Sequence, residues 1–460
     1  MKKIVIKWIA VICAIGLIGT ALFLFYKNAL DIRKERSEIY NEACIQIDAG
    51  NYREALDMLE LLDDFGNAKQ DIQYAEAMIL LLDEEFEDAE RAFLALGSYR
   101  DSPVRLLEAQ NRQTQSISYE DARQAYKSKQ FAKAYKIFLE SGNYRNSAQL
   151  AQESLELWRL QVSNTISAGT RFSGGITEEG KVFFSGTDFA GVDEIGNWEN
   201  VISVSACGEL FAGLTNDGDV LVANWHTDSN YHVDVSDWKD QDIVQISVGD
   251  QFIVGLKSDG ALVAKGIDGY GETDVYTSEW KDIVAIDTGW QHTVGLDQNG
   301  NIHVTGYHSG GLLMEIEENL DEWKDIIAIS TGGSTGAAQR GMGHIVALRK
   351  DGHVVAVGDN SYGQCNVSEW TDIVAISAGE YHTVGLTDSG KVVTTQTEEL
   401  FPDSYRAIEK WNEDSDTVAI SAGFGFTLRL KSDGSVESAG NKNEHQADVA
   451  DWEKVKIPQK

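Results

Sequence analysis

From residue 158 to residue 457 one pattern returns about every forty residues, and this periodicity restricts the fold more than anything else in the chain. Trp370–Gly390 reads W-T-D-I-V-A-I-S-A-G-E-Y-H-T-V-G-L-T-D-S-G, and close copies begin at Trp280 and Trp323. The glycine ending the first apolar run falls at Gly169, Gly208, Gly249, Gly289, Gly332, Gly379 and Gly423. A second glycine, closing a later turn, falls at Gly180, Gly218, Gly260, Gly300, Gly352, Gly390 and Gly434. Both series give seven units. In each, I-V-A-I-S, H-T-V-G-L and K-V-V-T-T or their equivalents read as strands, and a shorter fourth strand fits the variable stretch before the next Trp. Seven four-stranded units that protect one another's edges predict an all-β seven-bladed propeller. Asp451–Ile457 repeats the opening of an eighth unit, whereas the first unit has only Trp158 at its start. The terminal segment is therefore expected to complete the first blade and close the ring.

The stretch V357-G-D-N-S-Y-G-Q364, followed by W370-T-D-I-V-A-I-S-A-G379, H382-T-V-G-L and G390, resembles the regulator of chromosome condensation repeat, in its bacterial version. The resemblance implies a seven-bladed propeller with interaction surfaces on its loop faces. That family includes a nucleotide exchange factor for a small GTPase and a secreted bacterial inhibitor of β-lactamases, and fold alone transfers neither activity. The Y-G-Q signature is complete only at Tyr362–Gln364, with a partial copy at Gly269–Gly271.

Residues 35–157 change to helical spacing. Apolar residues recur at three and four residues in Y40-x-x-A43, Y52-x-x-A55-x-x-x-L59, F86-x-x-A89-x-x-x-F93 and F131-x-x-A134-Y135-x-x-F138. G97-S-Y-R-D-S102 and G142-N-Y-R-N-S147 read as helix ends followed by new starts. Small alanines with aromatics at this spacing resemble tetratricopeptide repeats, about three of them.

Before this region, Trp8–Tyr26 carries no charge between a short tail, 1–7, and a linker, 27–34. As a helix it would span roughly 28 Å. It predicts one transmembrane helix over 8–26 in the cell membrane, with the N-terminus cytoplasmic and the helical and propeller domains outside.

The formal charge of −34 divides into +5 over residues 1–36, −10 over 37–160 and −29 beyond. So negative a chain repels phosphates, and nucleic acid is not expected as a partner. Cys13, Cys44, Cys207 and Cys365 show no metal or disulfide spacing. His292, His344 and His382 share one repeat position with Phe172, Phe211, Phe252 and Phe426, which makes it a packing position. The S-D-G and Q-N-G triplets fit hairpin turns better than calcium loops. The glycine-rich run Thr331–Gly343 lacks the Lys-Ser/Thr of a phosphate loop and reads as a surface loop.

No catalytic constellation, metal site or cofactor is expected. What varies is the pair of residues between each strand-ending Gly and the His/Phe position. Arg171, Leu210, Gln251, Trp290, Gln291, Glu380, Tyr381 and Phe424 should gather on one rim, where aromatics favour binding. The expected function is a non-enzymatic binding module or scaffold for a protein partner or a cell-envelope glycan. The alternatives are a hydrolase with its site in the propeller funnel and a GTPase regulator.

Overall fold

The computed structural model describes residues 2–62, 65–161, 164–189, 191–225, 232–269, 271–275, 280–306, 323–334 and 342–458, with side chains from residue 17 onward except 160, 161, 334 and 342. The chain divides into two compact units: residues 1–121 with 141–145, and residues 122–140 with 146–460.

The first unit holds α1 (Lys2–Asp48), α2 (Tyr52–Glu60), α3 (Ala68–Leu82), α4 (Phe86–Leu96) and most of α5 (Ser102–Lys127). Ala43, Ala55, Ala77, Ala89 and Ala109 are all buried, and Tyr74 meets Phe93 edge-on at 6.3 Å. Short side chains let the helices approach while rings fill the remaining space. Gly97 and Gly142 adopt the left-handed conformation, as do Arg100 and Arg145 in the turns that follow. The Arg100 turn aims its guanidinium at Asp71, which is fully buried. Asp71 accepts bonds from Tyr40 Oη at 2.7 Å, Tyr99 Oη at 2.8 Å and Arg100 Nε at 2.8 Å, so the buried carboxylate is fully served.

The single-pass membrane placement does not hold. Among the described residues no helix is long and apolar enough to cross a membrane. The expected span lies inside α1, and its residues 8–16 fall outside the described side chains.

The second unit contains α6 (Phe131–Glu140), α7 (Ser147–Gln161) and seven three-stranded antiparallel sheets. Their strands are β1 (Ile166–Ala168), β2 (Phe172–Ile176), β3 (Val182–Gly186); β4 (Val201–Cys207), β5 (Leu210–Thr215), β6 (Val220–Asn224); β7 (Ile243–Val248), β8 (Phe252–Lys257), β9 (Leu262–Gly266); β10 (Ile283–Thr288), β11 (His292–Asp297), β12 (Ile302–Gly306); β13 (Ile326–Ser334), β14 (Met342–Arg349), β15 (Val354–Gly358); β16 (Ile373–Ala378), β17 (Thr383–Thr387), β18 (Val392–Thr394); and β19 (Thr417–Ala422), β20 (Phe426–Lys431), β21 (Val436–Gly440). No fourth strand occurs among the described residues; the described parts of the variable stretches form loops, a 3-10 turn (Ser236–Trp238), the four-residue helix α8 (Val192–Ile195) and, before β19, helix α9 (Pro402–Trp411). Most of the expected glycine-rich surface loop, residues 335–341, lies outside the described residues, and its flanks are strand.

One ring of hydrogen bonds joins the seven inner strands. The serine of I-S-A-G accepts a backbone N–H from the next blade: Ala206 to Ser167, Val248 to Ser205, Thr288 to Ser247, Ala378 to Ser330, Ala422 to Ser377 and Ala168 to Ser421. Asp287 takes the serine's place for Thr331. All seven bonds measure 2.9 or 3.0 Å, and the Ala168–Ser421 bond closes the circle. In blades two, three, four and six the Trp lies on the glycine of the central strand; the matching residue is Ala347 in blade five and Arg429 in blade seven. A Cβ at Gly213, Gly255, Gly295 or Gly385 would sit 2.5–3.0 Å from Trp198, Trp238, Trp280 or Trp370.

Blade one obtains its Trp from the C-terminal segment. Trp452 covers Gly175 and stacks on Phe183 at 5.7 Å, Val455 bridges Thr177, and Lys456 N–H donates to Ile176 O at 2.7 Å. Trp158 instead belongs to α7. It is buried against Val244 and Val284 with Phe131 and Tyr135, and its Nε1 donates to Val284 O at 3.0 Å. The docking uses a β-bulge: register shifts beside Val244 and Val284 turn these residues out of the ladder toward the helices. Lys136 pairs with Asp282, and Arg159 donates to Asn216 O at 3.2 Å. Helices α6 and α7 thus cover the end of blades two to four that carries the D-G turns.

Candidate functional site

The opposite end of the second unit carries the turns between first and second strands. The loops after the third strands lie beside them: Thr187 N–H donates to Arg171 O, Trp225 to Glu209 O, Ile267 to Gln251 O and Asn441 to Gly425 O. Glycine is needed at the start of these turns because the following ring folds back over it. A Cβ would lie 2.0 Å from Phe252 at Gly249 and 2.3 Å from His292 at Gly289. Neighbouring turns also touch through backbone, with Glu380 N–H on Gly423 O at 3.3 Å and Phe424 N–H on Gly169 O at 3.2 Å.

The Y-G-Q loops belong to the same end and are tied by their glutamine. Gln364 Oε1 accepts Tyr362 N–H, its Nε2 donates to Asp359, and its backbone carbonyl accepts Thr383 Oγ1. Gln446 repeats this in blade seven, accepting Glu444 N–H at Oε1 and Ser173 Oγ at its carbonyl. Sequence reading missed this third copy because only the glutamine remains of the signature.

The His/Phe position is fully internal. His292 is paired with the Thr331 hydroxyl, His344 Nε2 with Thr383 Oγ1 at 3.0 Å, and His382 Nε2 with Thr427 Oγ1 at 2.8 Å. Burial holds all three imidazoles neutral, with pKa values lowered to about 4, 3 and 4.

The variable pairs separate into distinct environments. Leu210 is a correction: at 2% exposure it is a core residue, because β5 starts one residue before the His/Phe position at which β2, β8, β11 and β20 start, and pairs Leu210 with Cys207. Arg171 is exposed and lies over Trp225 at 5.2 Å, and Trp225 stacks on Phe189 at 5.6 Å. Gln251 is half-buried and donates to Glu209 at 3.0 Å. Gln291 is half-buried next to Trp290. Tyr381 links two rings edge-on, Tyr362 at 5.0 Å and Phe424 at 5.7 Å, and Tyr362 itself is 44% exposed.

Trp290, Glu380 and Phe424 line the central channel, a cavity of about 200 Å³ that the serine ring encircles. Glu380 is only 6% exposed, and neither carboxylate oxygen has a hydrogen-bond partner among the described residues. Burial pushes its pKa up to about 8, with the Tyr381 hydroxyl opposing weakly. Asp250 is pushed up to about 7 by burial and by Glu209, against Arg171. Asp287 is raised by burial although four groups donate to it. Cys207, in the same channel, is raised well above the ordinary thiol range by burial and by the field of Asp250, Asp287 and Glu380. Among the described residues no three His, Cys, Asp or Glu side chains gather to hold a metal ion.

The chain has solved structural neighbours, all distant. The ectodomain of the Physcomitrella patens receptor kinase CR4 is 16% identical over 60% of this chain and 73% of its own, with a TM-score of 0.46. Yeast RCC1 (Prp20) in complex with Kap60 is 16% identical over 58% and 75%, with a TM-score of 0.42. Prp20p from Saccharomyces cerevisiae on its own is 17% identical over 58% and 78%, with a TM-score of 0.41. No curated protein sequence matches the chain. Residues 341–364 and 373–395, which span the Y-G-Q loop and the central strands of blades five and six, match the Regulator of chromosome condensation (RCC1) repeat.

Proposed function

We propose that this chain is a non-enzymatic protein-recognition module whose contact surface is the turn-bearing end of the ring, around the channel mouth. One observation carries the reading: Tyr362, Tyr381 and Phe424 form a continuous aromatic run over blades five to seven, at positions that vary between units whose framework repeats. Aromatic clusters of this kind supply contact area at low entropic cost, and they serve as anchors when a partner excludes water from them. Exchange activity on a GTPase is not favoured. Crosslinking capture with the intact chain, compared with a Trp290→Ala/Tyr381→Ala/Phe424→Ala variant, tests the surface. Partners lost by the variant support it, and identical captured sets overturn it.

A second reading, a hydrolase, draws on the carboxyl groups of Glu380 and Asp250, whose pKa values lie near neutrality as a general acid or base requires. It predicts turnover by the wild type that Glu380→Gln abolishes.

A further inference from the structure

We infer that the channel mouth at Glu380 binds an organic cation, an alkylammonium or guanidinium group. This goes beyond surface recognition: it concerns the cavity at Glu380, whose lining shares Trp290 and Phe424 with that surface.

Glu380 carries the argument. Its carboxylate lines the channel, is more than nine-tenths buried and has no hydrogen-bond partner among the described residues. Buried carboxylates are ordinarily paired, as Asp71 shows elsewhere in this chain with its three donors. Among the described residues no Lys or Arg acts on Glu380, and the Tyr381 hydroxyl alone favours its charged form. Asp287 faces the same channel, and together with Asp250 and Glu380 it sets the field at Cys207. Among the described residues nothing supplies that counter-charge, and a cation entering the mouth would.

Two aromatic residues, Trp290 and Phe424, line the same cavity, and Tyr381 packs on Phe424. Aromatic faces attract organic cations and offer little to a small hydrated metal ion. Trp290 Nε1 is also buried without a partner among the described residues, a donor for an oxygen carried beside the cation. At about 200 Å³ the channel has room for a side-chain-sized group.

Isothermal titration of the intact chain with n-butylammonium chloride, methylguanidinium chloride, n-butanol and sodium chloride tests the site. Saturable binding of either organic cation, with none of the alcohol or sodium, is expected, and Glu380→Gln should weaken it at least tenfold. Glutamine matches the carboxyl in shape and is cheaper to bury, so the variant should fold; Phe424→Leu, expected to weaken binding several-fold, provides an independent second variant. An acetyl-Gly-Lys-Gly-amide peptide separates the sources. Binding tighter than butylammonium marks a polypeptide side chain, and equal binding marks a free amine. Absence of binding by either cation, or equal binding by wild type and Glu380→Gln, overturns the inference. Failure of the rim variant to lose partners would not.

Discussion

The Trp452 indole lies across Gly175, where a Cβ on residue 175 would come within 2.9 Å of the ring. Inside blades two, three, four and six the same contact joins a Trp to a Gly of the same unit, as Trp370 meets Gly385. In blade one the Trp arrives from the opposite end of the chain. Removal of residues 450–460 should therefore reopen the ring. Burial of Trp452 alone is worth about 3–5 kcal/mol, and the deletion should lower the Tm by roughly 10 °C or more. An unchanged Tm by calorimetry would mean that blade one closes without the segment.

The seven units and the terminal Trp were legible because their signals are local repeats of residue type. Trp158 was misplaced for the same reason: sequence registers a Trp at the expected spacing and cannot show that its neighbours are helical. The serine ring also escaped. Serine in I-S-A-G reads as one small polar residue in a strand, and its acceptor role appears only when the next blade supplies the N–H. Glu380 looked like a variable rim residue, because burial of a turn depends on how closely adjacent turns approach.

Ser421 accepts the Ala168 N–H that completes the ring. Ser421→Ala leaves that buried donor unserved and should cost about 1–3 kcal/mol in denaturant unfolding. Ser432→Ala, on an exposed turn, should stay within about 0.5 kcal/mol. Equal losses in the two variants would remove the ring's role in closure.

Asp71 is fully buried and bound to Arg100, Tyr40 and Tyr99. Asp71→Ala strands the guanidinium and both hydroxyls, and should destabilise the first unit by about 3–5 kcal/mol. Hydrogen exchange should accelerate across α1 to α4 and leave the seven sheets unchanged. Uniform acceleration in both units would contradict this.

His344 and His382 are neutral in the fold, with pKa values near 3 and 4 against 6.5 unfolded. Between those limits the unfolded chain binds more protons, so the stability these residues permit at neutral pH is lost as pH falls below 6.5. The double variant His344→Phe/His382→Phe adopts the residue found in four other blades. At pH 7.5 it should be slightly less stable, by about 0.5–1.5 kcal/mol per lost threonine bond. As pH drops toward 4 it should gain on the wild type by up to about 1.4 kcal/mol per pH unit for each histidine replaced. Parallel stability curves would refute the assignment.

Glu380 has the opposite sign. Its folded pKa, near 8, lies above the ordinary 4.5, because burial disfavours the carboxylate and only the Tyr381 hydroxyl, among the described residues, opposes this. The folded chain then holds a proton that the unfolded chain releases, so stability falls as pH rises from about 4.5 to about 8. Asp250 adds to the fall up to about pH 7. Glu380→Gln removes its share, up to about 1.4 kcal/mol per pH unit, and should make the protein more stable than wild type at pH 8 with little change at pH 5. Urea titrations at pH 5, 6.5 and 8 measure this, and a constant difference across them would show that Glu380 is already paired. An organic cation in the channel should act in the same direction as the glutamine. By favouring the carboxylate it lowers the folded pKa, and it should flatten the wild-type curve while leaving that of Glu380→Gln untouched.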